Sequence, residues 1–368
     1  MKKVGVLTHP LLDNYGGILQ AIALCGYLQD HGYEVILLQK HKYKNIPAWK
    51  RIVIKILELT PGQNIKGFRR RAVKRAKMRP FINKHISKKT RIVRKTTELA
   101  NLVKENSLDA VIVGSDQVWR MAFIDDGHFE SYFLAFLDSS SVRKISYAAS
   151  FGTDEWEGKP RSPDVSRMLK DFSSLSVREK SGVDICLKEF GIDGVKVTLD
   201  PTLLVNENFY SRFPRRSACP NGAVVTYVLD KDFEKDSLID RILKYLGERE
   251  NVMRIRGDGV GRIYDLEEWV DCIRSSAFVI TDSYHGMVFS IIFQKEFVVI
   301  ANTARGLARF ESLLGDLGLT SRLIAANDPR DPKVYLSEKI DYESVQKKLS
   351  EMRKLSSDFL ADALSVCR

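Results

Sequence analysis

The sequence predicts an α/β protein made of two sequential parallel-sheet units that face each other across a cleft. Three observations predict it. Short apolar runs of strand length alternate with helix-length amphipathic segments along most of the chain. The runs are nearly continuous in Val, Ile and Leu, as strands buried on both faces are. A polar, turn-rich stretch, "PRRSACPNG" (Pro214–Gly222), divides the series.

Taken in order, "KKVGVLT" (Lys2–Thr8) reads as a buried strand. A helix with Ile18, Ala21, Ile22, Cys25 and Leu28 on one face follows, then the strand "EVILLQ". After a basic interruption, "LDAVIVGS" (Leu108–Ser115), "RKISYAASFG" (Arg143–Gly152) and "SSLSVRE" (Ser173–Glu179) each read as a strand running into a polar loop. "VKVTLDPTLL" closes the first unit. Beyond the linker come "AVVTYVLD", a helix over Phe233–Arg249, a strand around "VMRIRG", a helix over Leu266–Arg274, the strand "AFVIT", the turn "DSYHG", a helix and the strand "EFVVIA". Asp341–Ala363 reads as a helix with Val345, Leu349, Met352, Leu355 and Phe359 on one face. The expected domains are Rossmann-like: 1–213 with a basic helical insertion at about 40–95, then 214–340, then a helix over 341–368 that packs back on the first.

Charge is concentrated. Between Lys40 and Lys95 stand 20 Lys and Arg residues against one acid, Glu58. That segment carries +19, which leaves the rest of the chain at −8 within a total of +11. Such asymmetry points to an anionic partner, or to a solvated face. In "AWKRIVIKILEL", Trp49, Ile52, Val53, Ile56 and Leu57 form one helical face, suited to an anionic membrane interface or to burial in the core. "FRRRAVKRAKMR" lacks interleaved aromatic residues, so nucleic acid is not expected as a partner. Five cysteines without CxxC pairing argue against a zinc ribbon or a disulfide framework and fit a reducing cytosol. The expected location is cytoplasmic, with peripheral attachment at the inner face of the cytoplasmic membrane as the reading of the basic segment. No apolar run approaches the ~20 residues of a membrane span.

In open parallel sheets, ligands bind beyond the carboxyl ends of the strands. "HPLLDNYGG", "GSDQVW", "SYAASFG", "VRE" and "TDSYHG" all fall at such ends. Gly16 and Gly17 open a helix whose exposed N–H groups favour an anion, with Asn14 and Tyr15 beside them. A plain turn capped by Asp13 or Asn14 is the alternative. Ser115 and Asp116 lie just past a strand, where Asp116 is a base for a sugar hydroxyl or a turn cap. Arg178 can grip phosphate or carboxylate at two points, or pair structurally with Glu179. His285, preceded by Ser283 and Tyr284, is a satisfied turn histidine, or a proton-transfer or anion-binding group. Arg305 and Arg309, beyond the next strand, offer a further anion grip. The glycines do not form GxGxxG, and no metal-ligand cluster is visible, so neither a dinucleotide cofactor nor a metal is expected.

Taken together and in this order, "NYGGILQAIAL", "DAVIVGSDQVW", "ISYAASFG", "LSVREKSG", "VTLDPTLL", "VITDSYHGMVFSIIF" and "RFESLLGDLGL" resemble the polysaccharide pyruvyl transferase family over nearly the whole chain. The resemblance implies two Rossmann-like domains with a cleft, similar to GT-B glycosyltransferases. It implies transfer of the enolpyruvyl unit of phosphoenolpyruvate to two hydroxyls of a sugar acceptor, a lipid-linked one included, giving a cyclic ketal and phosphate. It implies that His285 is the catalytic histidine, that Arg178 is the arginine of the "SVR" motif, and that Asp116 is the strand-end acid. Where characterised-type members read Arg-Leu-His, this chain reads Ser283-Tyr284-His285, and Arg305, Arg309 and Arg262 are the replacements to consider. Two other readings compete: a GT-B-type glycosyltransferase using a nucleotide sugar, and a non-catalytic binding relative.

Overall fold

Strands form where the apolar runs lie, and they sort into two main parallel sheets. The computed structural model describes the chain except residues 43–62, 125, 138–141, 217, 231, 248–250, 258–260 and 366–368, and the side chains of 63–68, 126, 127 and 304. The first half contains β1 (Lys3–Leu7), α1 (Tyr15–Asp30), β2 (Glu34–Leu38), α2 (Gln63–His85), α3 (Thr96–Glu105), β3 (Ala110–Gly114), β4 (Arg143–Tyr147), α4 (Ser162–Lys170), β5 (Ser176–Val177), α5 (Lys180–Phe190) and β6 (Lys196–Val197). Its sheet runs β2-β1-β3-β4, all parallel. The short β5–β6 pair continues from the β4 edge through isolated bridges at Ile145–Ser174 and Ala149–Val177.

The second half contains α6 (Pro201–Leu204), α7 (Glu207–Ser211), β7 (Val224–Val228), α8 (Phe233–Tyr245), β8 (Val252–Arg256), α9 (Leu266–Ser275), β9 (Phe278–Thr281), α10 (Tyr284–Ile292), β10 (Glu296–Ile300), α11 (Ala308–Leu317), β11 (Leu323–Ile324), α12 (Lys333–Leu336) and α13 (Tyr342–Ser365). Its sheet runs β11-β10-β9-β7-β8, again all parallel. The expected α/β class with parallel sheets is therefore what the chain adopts. β5 and β6 are shorter than the runs "SSLSVRE" and "VKVTLDPTLL" suggest. Beyond β6 the chain turns at Asp200, whose side chain caps α6, and Pro201 occupies the first helical position.

Two helices position the site. Helix α1 leaves the carboxyl end of β1, and α10 leaves that of β9; both strands are interior to their sheets. α1 is buried from Tyr15 through Cys25 and α10 over its whole length, as helices that are apolar nearly all round must be. Both join one apolar cluster that also takes in β1, β9, α9 and α13. Their N-termini meet there, and loop residues from β3, β5 and β6 close around the meeting point.

The C-terminal helix reaches the first half. Ser356 Oγ accepts from the Leu199 N–H at 3.0 Å, and Arg353 Nε donates to the Leu203 carbonyl at 2.7 Å. The basic helix α2 lies across the start of α1 and the loop before α9. Lys74 Nζ sits 4.0 Å above the Tyr15 ring, Arg75 pairs with Asp13 at 3.6 Å, and Lys77 donates to the Ile263 carbonyl at 2.8 Å. Burial pushes the Lys74 ammonium down to about 8, against the opposing pull of Asp13. Arg71 and Arg79 on the same helix face solvent. The Trp49–Leu57 face lies outside the described residues. No described helix is long and apolar enough to cross a membrane.

Candidate active site

The centre of the site is a carboxylate that "VTLDPTLL" places at a strand end. Asp200 is fully buried. Its Oδ1 accepts from the Thr202 N–H at 3.0 Å and from Thr202 Oγ1 at 2.7 Å. Its Oδ2 accepts from Arg178 Nη1 at 2.6 Å and Ser115 Oγ at 3.2 Å. His285 Nε2 stands 3.6 Å from the same oxygen, close enough for electrostatic attraction but long for a hydrogen bond. Burial alone would raise the Asp200 carboxyl, but the charge and proximity of His285, the Arg178 guanidinium and the Thr202 bonds outweigh it. They hold the group far below the usual carboxylate range.

His285 is brought in by the first helical turn of α10 and lies on Gly16 of α1. A Cβ on Gly16 would fall 1.9 Å from His285 Nδ1, so only glycine admits the ring. Gly17 is next to Asp116: a Cβ there would lie 3.1 Å from Asp116 Oδ2 and from Asn14 Nδ2. Asp116 has a φ of +68°, in the left-handed region that aspartate tolerates better than most residues. Its carboxyl is held below its ordinary range. Burial pushes it up, but His9, Arg178, His285 and Arg309 together pull it further down. Asp116 is thus a carboxylate at neutral pH.

Gln20 ties the surrounding loops, donating to Thr8 Oγ1 at 3.0 Å and to the Gly17 carbonyl at 2.8 Å. It also accepts from the Ser115 N–H at 3.1 Å. Glu179, next to Arg178, accepts through Oε1 from Ser150 Oγ and the N–H groups of Phe151 and Gly152, at 2.9–3.0 Å.

The structure brings together His285, Asp116, Arg178, Tyr284, Arg309, Gly16 and Ser115, with Asn14 at the rim. It does not bring in every residue singled out from sequence. The Tyr15 hydroxyl donates to the Tyr264 carbonyl at 2.7 Å, and its ring stacks on Trp269, so this side chain joins α1 to the second half. Ser283 caps α10, its Oγ accepting from the Gly286 N–H at 3.3 Å. Arg305 grips Asp230 at two points, 2.6 and 2.8 Å, and Arg262 pairs with Glu268. Of the three replacement arginines, Arg309 alone reaches the cluster.

Sequence reasoning passed over Asp200 and His9. His9 Nε2 donates to the Gln117 carbonyl at 2.9 Å, and burial lowers the pKa of its ring. The signal for Asp200 was an acid immediately before proline at the end of a predicted strand. Several N–H donors inside the cluster have no partner among the described residues: Arg178 Nε and Nη2, Arg309 Nε, Gln117 Nε2 and His285 Nε2. Unpaired buried donors are costly, and a ligand that accepts from them would relieve that cost.

Comparison with known proteins gives the family of the chain. The profile of the polysaccharide pyruvyl transferase family matches residues 14–303, and the chain belongs to that family. No curated protein matches the chain in sequence. Among solved structures it is similar to a UDP-N-acetylglucosamine 2-epimerase from Rickettsia bellii, with a TM-score of 0.53 and 10% identity over 99% of this chain and 96% of that one. It is also similar to a glycosyltransferase from Rickettsia africae, with a TM-score of 0.51 and 12% identity over the full length of both. At these identities the likeness shows the fold alone, that of the GT-B type.

Asp200→Asn should lower stability by about 3–5 kcal/mol at pH 7, because it breaks a buried ion pair from one side. The folded-state pKa of Asp200 is depressed. Its contribution is therefore full above the unfolded value of about 3.9 and is lost as pH falls toward the folded value. Urea unfolding at pH 7 and pH 3 should show the deficit of the variant shrinking at the lower pH. A deficit that is equal at both values would mean that the Asp200 charge contributes nothing.

Proposed function

We propose that this member of the polysaccharide pyruvyl transferase family moves the pyruvyl unit of phosphoenolpyruvate onto two hydroxyls of a sugar, forming a cyclic ketal. The observation that carries the reading is the pair of Arg178 N–H donors, Nε and Nη2, with no hydrogen-bond partner among the described residues, buried beside an ionised Asp116. A donor with a carboxylate and a phosphate needs such groups, and an attacking hydroxyl needs a base.

In this reading the His285 imidazole protonates the methylene carbon of the donor. Its Nε2 is turned to Asp200, and its Nδ1 lies against Gly16 at the N-terminus of α1. The carbon bearing the phosphate becomes oxocarbenium-like, and the first sugar hydroxyl attacks it while Asp116 accepts the proton. The bond to the phosphate oxygen then breaks, and the second hydroxyl closes the ketal. Of the two hydroxyl protons, one replaces the proton that His285 gave to the new methyl group, and the other leaves with phosphate. Asp200 acts as a positioning residue, fixing His285 and Arg178 relative to one another.

Phosphate release from phosphoenolpyruvate with a panel of galactoside and mannosamine acceptors tests the reaction. Wild-type protein should release phosphate with at least one of them, and His285→Ala should lose on the order of 10²–10⁴ in rate at a temperature where it is still fully folded. Release of a nucleoside diphosphate from a nucleotide sugar, with none of phosphate from phosphoenolpyruvate, would mean glycosyl transfer instead.

The partner of the basic helix belongs to the same proposal. α2 has nine Lys and Arg residues and no acid. Several of these cations hold the helix to the protein, and those that face solvent suit an anionic membrane where a lipid-linked acceptor would lie. A basic side chain near such a surface is worth up to about 1 kcal/mol. Arg71→Gln with Arg79→Gln should weaken binding to phosphatidylserine vesicles and leave turnover of a short soluble acceptor unchanged. Unchanged vesicle binding would remove the membrane from the account.

A further inference from the structure

Two imidazoles act on the Asp116 carboxylate, and the reaction proposed above uses only one of them. Burial pushes the Asp116 carboxyl up; of the groups that overcome it, His9 comes first, ahead of Arg178, His285 and Arg309. His9 lies just past the carboxyl end of β1, in the strand-end motif "HPLLDNYGG". Its place is fixed by its neighbours. Thr8, before it, donates through Oγ1 to the Ser115 carbonyl at 3.2 Å and accepts from Gln20 Nε2 at 3.0 Å. Pro10, after it, favours extended backbone at His9. The ring meets that of Tyr132 edge-on with 5.2 Å between centroids, and Nε2 donates at 2.9 Å to the carbonyl of Gln117, the residue after Asp116.

That last bond decides the tautomer. A carbonyl only accepts, so in the neutral ring the proton is on Nε2 and the lone pair is on Nδ1. Nδ1 has no hydrogen-bond partner among the described residues, and it is not closed off from solvent as the unpaired Arg178 Nε and His285 Nε2 are. Burial lowers the pKa of the ring against the pull of Asp116 and of the Gln117 carbonyl, and the charge of Lys42 adds to the lowering. At neutral pH His9 is therefore an imidazole with an accessible lone pair. The carboxylate beside it would stabilise the imidazolium formed by proton uptake.

We infer that His9 is a second catalytic base, which takes a proton at Nδ1 from a hydroxyl of the acceptor sugar. The inference rests on the proposed function and completes it: two hydroxyls react, and Asp116 serves the first. Once the bond from carbon to the phosphate oxygen has broken, the second hydroxyl oxygen forms the C–O bond that closes the ketal. Its O–H bond breaks, Nδ1 takes the proton, and the imidazolium passes it to the departing phosphate. Asp116 offsets the charge of that imidazolium in the interval.

Steady-state turnover of phosphoenolpyruvate with a sugar acceptor tests this. His9→Ala should lose on the order of 10²–10⁴ in kcat with the KM for phosphoenolpyruvate nearly unchanged, and added imidazole should restore part of the rate. His9→Gln, whose amide can still donate to the Gln117 carbonyl but holds no basic atom, should lose kcat as well. It carries the comparison if the melting temperature shows that the alanine variant has lost its fold. A folded His9→Gln protein that turns over nearly as fast as wild type overturns the inference. So does a loss confined to KM, or a loss in folded His9→Ala that imidazole does not relieve. If the wild-type protein consumes a nucleotide sugar and no phosphoenolpyruvate, the donor assignment falls alone. An acceptor hydroxyl still has to lose its proton in that case, and the same variants decide on His9 through release of the nucleoside diphosphate.

Discussion

One buried carboxylate holds the site together. Asp200 receives Thr202 from its own helix, Ser115 from the end of β3, Arg178 from the end of β5 and the charge-facing edge of His285 from α10. The first three belong to the first sheet or the connection after it, and the last to the second sheet. Taking a carboxylate out of water costs several kcal/mol, and only geometry this complete offsets it. The consequence is positional. Arg178 and His285 cannot shift independently while both answer to one oxygen atom.

The remaining charges extend that arrangement. Glu179 has one oxygen fixed by three donors from the loop after β4, so the strand end that carries Arg178 is tied to its neighbour. Asp116 sits at the glycine-rich start of α1, where the helix dipole favours negative charge. Gly16 matters because it is small: the imidazole rests where any side chain would stand. Two helix N-termini, an imidazole and two guanidiniums thus face three carboxylates, all buried. Several N–H donors there have no hydrogen-bond partner among the described residues.

Much of this was legible in the sequence, for physical reasons. Parallel strands buried on both faces are apolar throughout, so "DAVIVGS" and "VITDSYHG" announce both the strand and the polar loop beyond it. A histidine between a strand and a helix start had to lie at a carboxyl end, and His285 does. What could not be read was the direction of individual side chains. Tyr15 looks like a rim hydroxyl but points to the Tyr264 carbonyl, and Arg305 looks like an anion grip but is closed on Asp230. Asp200 reads as a helix cap before proline. It is one, through Oδ1; the work of Oδ2 depends on residues 22 and 85 positions away, which no local pattern records. The amphipathic face Trp49–Leu57 lies outside the described residues.

The central claim is that Asp200 and His285 act as one unit. A double-mutant cycle on kcat/KM for phosphate release, using Asp200→Asn, His285→Gln and the pair, tests it most directly. If Asp200 acts through His285, the double variant will be no slower than His285→Gln alone, within the stability limits set by melting temperature. Losses that multiply would show the two residues contributing separately and would contradict the account.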